Sequence, residues 1–203
     1  MSRIDDPTAT QASASASATR APLWTSASLM VLAACTTTPP PKPTPPAATS
    51  TAHEARANLA SASGSLVSGS VTLKPMGDGV HLSGTIGGFA ANSQHGIHVH
   101  EKGDCSSVDA ASAGGHFNPT GAPHGRASRQ APHHAGDMDN LVADGEGVAR
   151  VDLHLHGVTL GGGAANDIAG RALVVHAAPD DYSSQPAGNS GARVACAVIA
   201  VSR

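Results

Sequence analysis

Residues 147–155 read GVARVDLHL, in which Ala149, Val151, Leu153 and Leu155 are apolar while Arg150, Asp152 and His154 between them are polar. A period of two sends alternate side chains to opposite faces of an extended chain, so this run predicts a β-strand with one buried and one wetted face. Similar short runs, alternating or rich in β-branched residues, lie at 65–73, 79–86, 96–100, 171–176 and 193–201, separated by Gly-rich turns. No helical period of useful length intervenes, and the fold class predicted is all-β. Two segments break the rhythm, 101–140 and 177–192, both rich in Gly, Pro, His and Asp. Long loops inside a compact domain usually carry function.

The composition changes along the chain. Residues 1–19 are mostly Ser, Ala and Thr, and Pro39, Pro40, Pro41, Pro43, Pro45 and Pro46 crowd the stretch that follows Cys35. Neither segment carries enough apolar surface to offset the entropy of ordering. The expected organisation is a leader at 1–35, a Pro-rich disordered linker at 36–61, and one folded domain at 62–203. That domain has eight Lys and Arg against twelve Asp and Glu, a formal charge of −4. Such a balance argues against a nucleic-acid footprint and against a basic membrane face. Beyond Trp24 its aromatics are Phe89, Phe117 and Tyr182, so the core must be built from Val, Leu, Ile and Ala.

The run 23–34 (LWTSASLMVLAA) follows Arg20 and precedes Cys35. It is too short to span a bilayer and suits the apolar part of an export signal. Leu32, Ala33, Ala34 and Cys35 resemble a bacterial lipobox, which predicts a lipid on Cys35 as the sole membrane contact. The expected location is the periplasm, on the outer membrane. Asp5 and Asp6 sit in an unusually long stretch before Arg20, which predicts a translation start downstream of Met1. Setting Cys35 aside leaves Cys105 and Cys196, an even number in an oxidising compartment, and predicts that they are bridged.

The chain holds 12 histidines. His98 and His100 stand at i and i+2 of a predicted strand, on one face and about 7 Å apart along the backbone. His154 and His156 share that spacing, but they alternate with Val151, Leu153 and Leu155 and read as the wet face of a half-buried strand. Company distinguishes the pairs: His98 and His100 are followed by His116, His124, His134 and Asp137 in the next loop, and later by His176. Three imidazoles and a carboxylate suit a closed tetrahedral zinc site, and an all-imidazole set in an open tetragonal arrangement suits Cu(II). Filling both needs seven imidazoles where six are well placed, so one must bridge two cations through both ring nitrogens.

The motifs HGIHVHEKGDC (95–105), SAGGHFNP (112–119), HHAGDMDNL (133–141), GRALVVHAAPDDY (170–182) and GNSGARVACAVI (188–199) together resemble the copper,zinc superoxide dismutases, in particular their exported bacterial branch. The resemblance implies an eight-stranded Greek-key sandwich or flattened barrel with long metal-binding loops. It implies one copper on His98, His100, His116 and His176, and one zinc on His116, His124, His134 and Asp137, with His116 as the bridge. Asp180 is implied as the carboxylate behind a copper and a zinc histidine, with Asp181 as its neighbour and alternative. His133 likewise stands next to His134. Cys105–Cys196 is implied as the disulfide, and Arg193 as the cation that draws in the anion.

The implied reaction is the conversion of superoxide to dioxygen and hydrogen peroxide, with Arg193 and His116 as the catalytic residues. A periplasmic carrier of copper or zinc is the competing reading, but a carrier needs no anion-binding Arg193. The sequence leaves a homodimer open.

Overall fold

A computed structural model describes residues 48–129 and 131–202. The predicted leader, with Cys35, and residues 36–47 of the predicted linker lie outside the described residues. Within them the chain forms ten β-strands and a single 3-10 turn at Ala111–Ala113, with no α-helix. The strands are β1 Ala55–Ser61, β2 Ser68–Met76, β3 Gly79–Gly87, β4 Gln94–His95, β5 Ile97–His100, β6 Leu141–Val142, β7 Val148–His156, β8 Ala172–His176, β9 Arg193–Val198 and β10 Ala200–Val201.

Eight of them form one curled antiparallel sheet in the order β5-β8-β9-β1-β2-β3-β7, with β10 beside β1. β1 is the corner: Ala55 to Leu59 pair with β2, while Ala60 and Ser61 pair with β9. β7 returns to pair with β3 along its whole length, Gly79 opposite His156 and Gly87 opposite Val148, after the chain has crossed over to make β5. This crossing gives the Greek-key sandwich its order. β4 and β6 form a small separate ribbon.

One boundary is corrected. Residues 55–61 were expected in the linker, yet β1 sits in the middle of the sheet with Ala55, Ala57 and Leu59 fully or almost fully buried. The period of two is present there but is carried by alanines, whose small side chains resemble low-complexity linker. The small residues suit the place, because a sheet corner leaves little room between layers.

The core is aliphatic, as the composition predicts, with Leu73, Leu82, Ile86, Leu155, Leu173 and Ile199 among its fully buried side chains. β8 is buried on both faces. Leu173 and Val175 face this core. Ala172 and Val174 instead join Ala110, Ala113 and Cys196 in a second small cluster beneath the loop that follows β5. Cys105 and Cys196 are bonded, with Cα atoms 5.8 Å apart and 91 positions apart in sequence, so this loop is tied to β9.

β5 is an edge strand, and its free edge is covered by its own loops. Phe117 N–H donates to Val99 O (2.8 Å), Val99 N–H to Gly136 O (2.9 Å) and Gly136 N–H to Phe117 O (2.9 Å). Position 136 must be glycine, because a Cβ would stand 2.2 Å from Val99 O. The edge that would otherwise be a pairing hazard thus brings His116 and Asp137 against His98 and His100.

Candidate metal centre

The strands set the positions. On β5, Ile97 and Val99 point into the core, so His98 and His100 share the opposite face. His98 lies opposite Val174 of β8, and His176 at the end of β8 lies opposite Arg193 of β9, just past an irregularity in the register. All six site histidines and Asp137 are buried.

Ligand atoms of His98, His100, His116 and His176 lie within 4.8 Å of one another, and so do those of His116, His124, His134 and Asp137. In the second group the Nδ1 atoms of His116, His124 and His134 stand 2.8, 3.0 and 3.3 Å from Asp137 Oδ1. An ion with tetrahedral bonds of about 2.0–2.1 Å separates its ligands by about 3.3 Å, so this cluster matches a zinc site in donor type and size. His124 Nδ1 and His134 Nδ1 are buried without a hydrogen-bond partner. Two such orphans in a native interior are expensive unless a cation meets them.

The first group is held from behind. His98 Nε2 bonds Asp180 Oδ2 (2.8 Å) and His100 Nδ1 bonds Gly114 O (2.9 Å). The remaining nitrogens, His98 Nδ1, His116 Nε2, and the facing Nε2 atoms of His100 and His176 at 3.4 Å, converge on one point. His98 Nδ1 and His116 Nε2 are buried and unpartnered. An all-nitrogen donor set of this kind fits Cu(II). His116 turns Nδ1 to one group and Nε2 to the other, and is the one residue common to both.

The local field favours the same reading. Burial pushes the imidazoles of His98, His176 and His100 down to about 4, 3 and 2, so at neutral pH their lone pairs are free. Burial would also lower His124, but the carboxylates of Asp137 and Asp180, one facing each of its ring nitrogens, outweigh it and raise it to about 9. Despite burial, Asp137 is held far below the usual carboxylate range by His116, His124 and the Gly125 amide. A proton on His124 supplies the positive charge that two buried carboxylates demand.

Asp180 ties the halves together, since its Oδ1 also accepts from His124 Nε2 at 2.9 Å. Asn140 clamps the Asp180 backbone on both sides, accepting from its N–H (2.8 Å) and donating to its O (2.9 Å). Asp181 is exposed and caps Ser183 and Ser184. His133 is partly buried, and its Nδ1 turns away to the carbonyl of His134. Both neighbouring alternatives therefore stand outside the cluster. Arg193 is half-buried and donates from Nη1 to Ala110 O and from Nη2 to Gly114 O, each at 2.6 Å. Gly114 O thus holds both the guanidinium and the ring of His100.

Several supporting residues escaped the sequence reading. His95 is buried, stacked on Phe89 at 4.3 Å, and its Nδ1 holds the carbonyl of His176 at 2.8 Å. Gln185 grips the backbone of His124 at both N–H (2.8 Å) and O (2.9 Å). Gly188 leaves room for Asp180, whose Oδ1 would lie 1.8 Å from a Cβ there.

Comparison with known proteins agrees with this geometry. The family described as copper/zinc superoxide dismutase (SODC) matches residues 67–199. Superoxide dismutase [Cu-Zn] 2 of Aquifex aeolicus is 41% identical over 149 residues, which cover 72% of this chain and 86% of that one. Superoxide dismutase [Cu-Zn] 1 of the same organism is 46% identical over 111 residues, covering 53% and 65%. Among solved structures, a double mutant of a SOD-like protein from Bacillus subtilis is similar at TM-score 0.65 and 34% identity, over 71% of this chain and 96% of that one. The clock protein EA4 is similar at TM-score 0.67 and 37% identity, over 76% and 98%. The chain belongs to the copper/zinc superoxide dismutase family, whose members hold one copper and one zinc.

Proposed function

We propose that His98, His100, His116 and His176 hold copper, that His116, His124, His134 and Asp137 hold zinc, and that superoxide is converted at the copper half. The observation that carries this is His116, which presents one ring nitrogen to each cluster. Copper when bound supplies one-electron chemistry that zinc cannot. Two superoxide anions and two protons then give one dioxygen and one hydrogen peroxide.

The chain's own residues attract the anion and deliver the proton. With two guanidinium nitrogens anchored on Ala110 O and Gly114 O, Arg193 is aimed and its remaining N–H groups are free for the substrate. Its charge opposes protonation of both His100 and His176. His116 can carry a proton at Nε2 while Nδ1 stays with the zinc set, and so can hand that proton to an anion lying beside Arg193. Asp137 and the Asp180 carboxylate fix the rings so that none must reorient.

Replacing His116 by Ala and measuring both metals tests the bridge. Both affinities should fall, whereas a loss confined to one metal would contradict the shared ligand.

The proposal extends to location. The leader and its Cys35 point to export and lipidation, and a Cys105–Cys196 disulfide suits an oxidising compartment. Mass spectrometry of the membrane fraction should find a lipid-modified Cys35 at the mature N-terminus, and Cys35→Ser should release the protein. An unmodified Cys35 in a soluble protein would reject this.

A further inference from the structure

We propose that Asp78, His154 and His156 form a third metal site, on the outer face of the sandwich, for a divalent ion of the zinc and copper class. His154 and His156 stand on the wetter face of β7, as their alternation with Val151, Leu153 and Leu155 predicts. The β2–β3 turn brings a carboxylate to them. β2 ends at Met76 and β3 begins at Gly79, so Gly77 and Asp78 form a two-residue turn, with Gly77 at φ 59°. Gly79 pairs with His156 across β3 and β7, and Gly157 N–H donates to Asp78 O at 2.9 Å. The register therefore pins Asp78 beside the histidine pair.

The donor atoms are already gathered. His154 Nε2 stands 3.0 Å from Asp78 Oδ1, and His156 Nδ1 stands 3.0 Å from Asp78 Oδ2. The two rings are 4.4 Å apart, and ligand atoms of all three residues lie within 4.8 Å of one another. The spacing matches that of the Asp137 cluster, with two imidazoles on one carboxylate instead of three. The hydrogen bonds from His156 and His154 also keep the Asp78 carboxyl low, at about 2, so it is anionic throughout the neutral range.

Two nitrogens and one oxygen leave one or more positions to water. That is the donor count of an open zinc site, and imidazole with carboxylate accepts Cu(II) equally well. Access is unobstructed, since Asp78 is 73% exposed and His156 58%. His154 and His156 also line a groove of about 230 Å³ that contains Asp139 and Asp152. Arg126 partly offsets the first of these carboxylates at 3.3 Å, and His81 Nε2 lies 3.4 Å from the second.

The site is distinct from the buried pair, so it is tested on the full chain already loaded with copper and zinc. Zinc chloride titrated into that protein should reveal one further ion per chain by calorimetry, and added Cu(II) should give a second electron paramagnetic resonance signal with two coupled nitrogens. His156→Ala and Asp78→Ala should each weaken this extra binding by about 10–100-fold or more, since removing a ligand costs at least what removing a supporting residue does. His156→Ala should also leave one coupled nitrogen. Superoxide consumption, read in the same samples, should be unchanged, which shows that each variant is folded. His81→Ala, next to the site but paired with Asp152, should bind as the parent does. If the loaded protein takes up no further ion, or if both variants bind as tightly as the parent, the three residues form an ion pair only and the proposal fails.

Discussion

Asp180→Asn should separate the two metals, and the structure says which one suffers. Asp180 Oδ1 accepts two hydrogen bonds, from His124 Nε2 (2.9 Å) and the Tyr182 amide (2.7 Å), whereas Oδ2 accepts one, from His98 Nε2 (2.8 Å). An Asn has one acceptor and one donor at these places. The amide oxygen should take the Oδ1 position, where two donors meet it, which turns the NH2 group toward His98. A donor then faces a donor. His98 can accept from the amide only if its proton moves to Nδ1, the very nitrogen the copper set requires. An unsatisfied buried donor costs about 1–3 kcal/mol. Losing a carboxylate behind a ligand histidine typically lowers metal affinity about 10–100-fold, which is about 1.4–2.7 kcal/mol. Both routes give the same size of effect, so copper affinity should fall about 10–100-fold while zinc affinity moves much less. Competition with chelators of known affinity, followed by metal analysis, reads both. Asp180→Ala, which removes both acceptors, should weaken the two metals together. Zinc lost more strongly than copper in Asp180→Asn, or no loss of either, would refute the reasoning.

Arg193→Ala should keep both metals, since a guanidinium offers no lone pair, and lower the low-salt rate roughly 10-fold or more, with Lys recovering part of it. The parent's rate should also decline with added salt, because fields are screened within about 8–10 Å, and a flat salt profile would contradict steering. Replacing Cys105 and Cys196 together by Ser frees a loop of 91 positions and should destabilise the chain by at most about 4–5 kcal/mol; an unchanged melting temperature would reject a stabilising bridge.

For the metal-free chain, two opposite trends meet near pH 6.5. The depressed values of His98, His176 and His100 mean that the unfolded chain binds more protons, so stability is complete above about 6.5 and falls as the pH drops toward 4 and below. The raised value of His124 works the other way, giving stability that is complete below about 6.5 and lost as the pH rises through 9. Melting temperatures across pH should therefore peak near neutrality, and added zinc should remove the alkaline decline. A monotonic profile would contradict this.

The strands were readable because alternation survives in a single sequence, as in 147–155. Where the apolar partners shrink to alanine, as in β1, the same period is present but its contrast is lost. The two-residue β4 and β6 are too short to carry any period. The ligand histidines stood out by density and by motif, so their grouping in space could be anticipated. Their supports could not: His95, Asn140 and Gln185 act through backbone contacts with residues far along the chain, and such contacts leave no local pattern. His154 and His156 show the reverse case. Their strand face was read correctly, while Asp78 reached them only through the register of β3 against β7.

The most direct test of the central claim is superoxide consumption by one preparation of the full chain, measured first with zinc alone and then after one equivalent of copper. The account predicts no catalysis with zinc alone and full activity once His98, His100, His116 and His176 are filled. Equal rates before and after copper, or no catalysis with both metals in place, would contradict it.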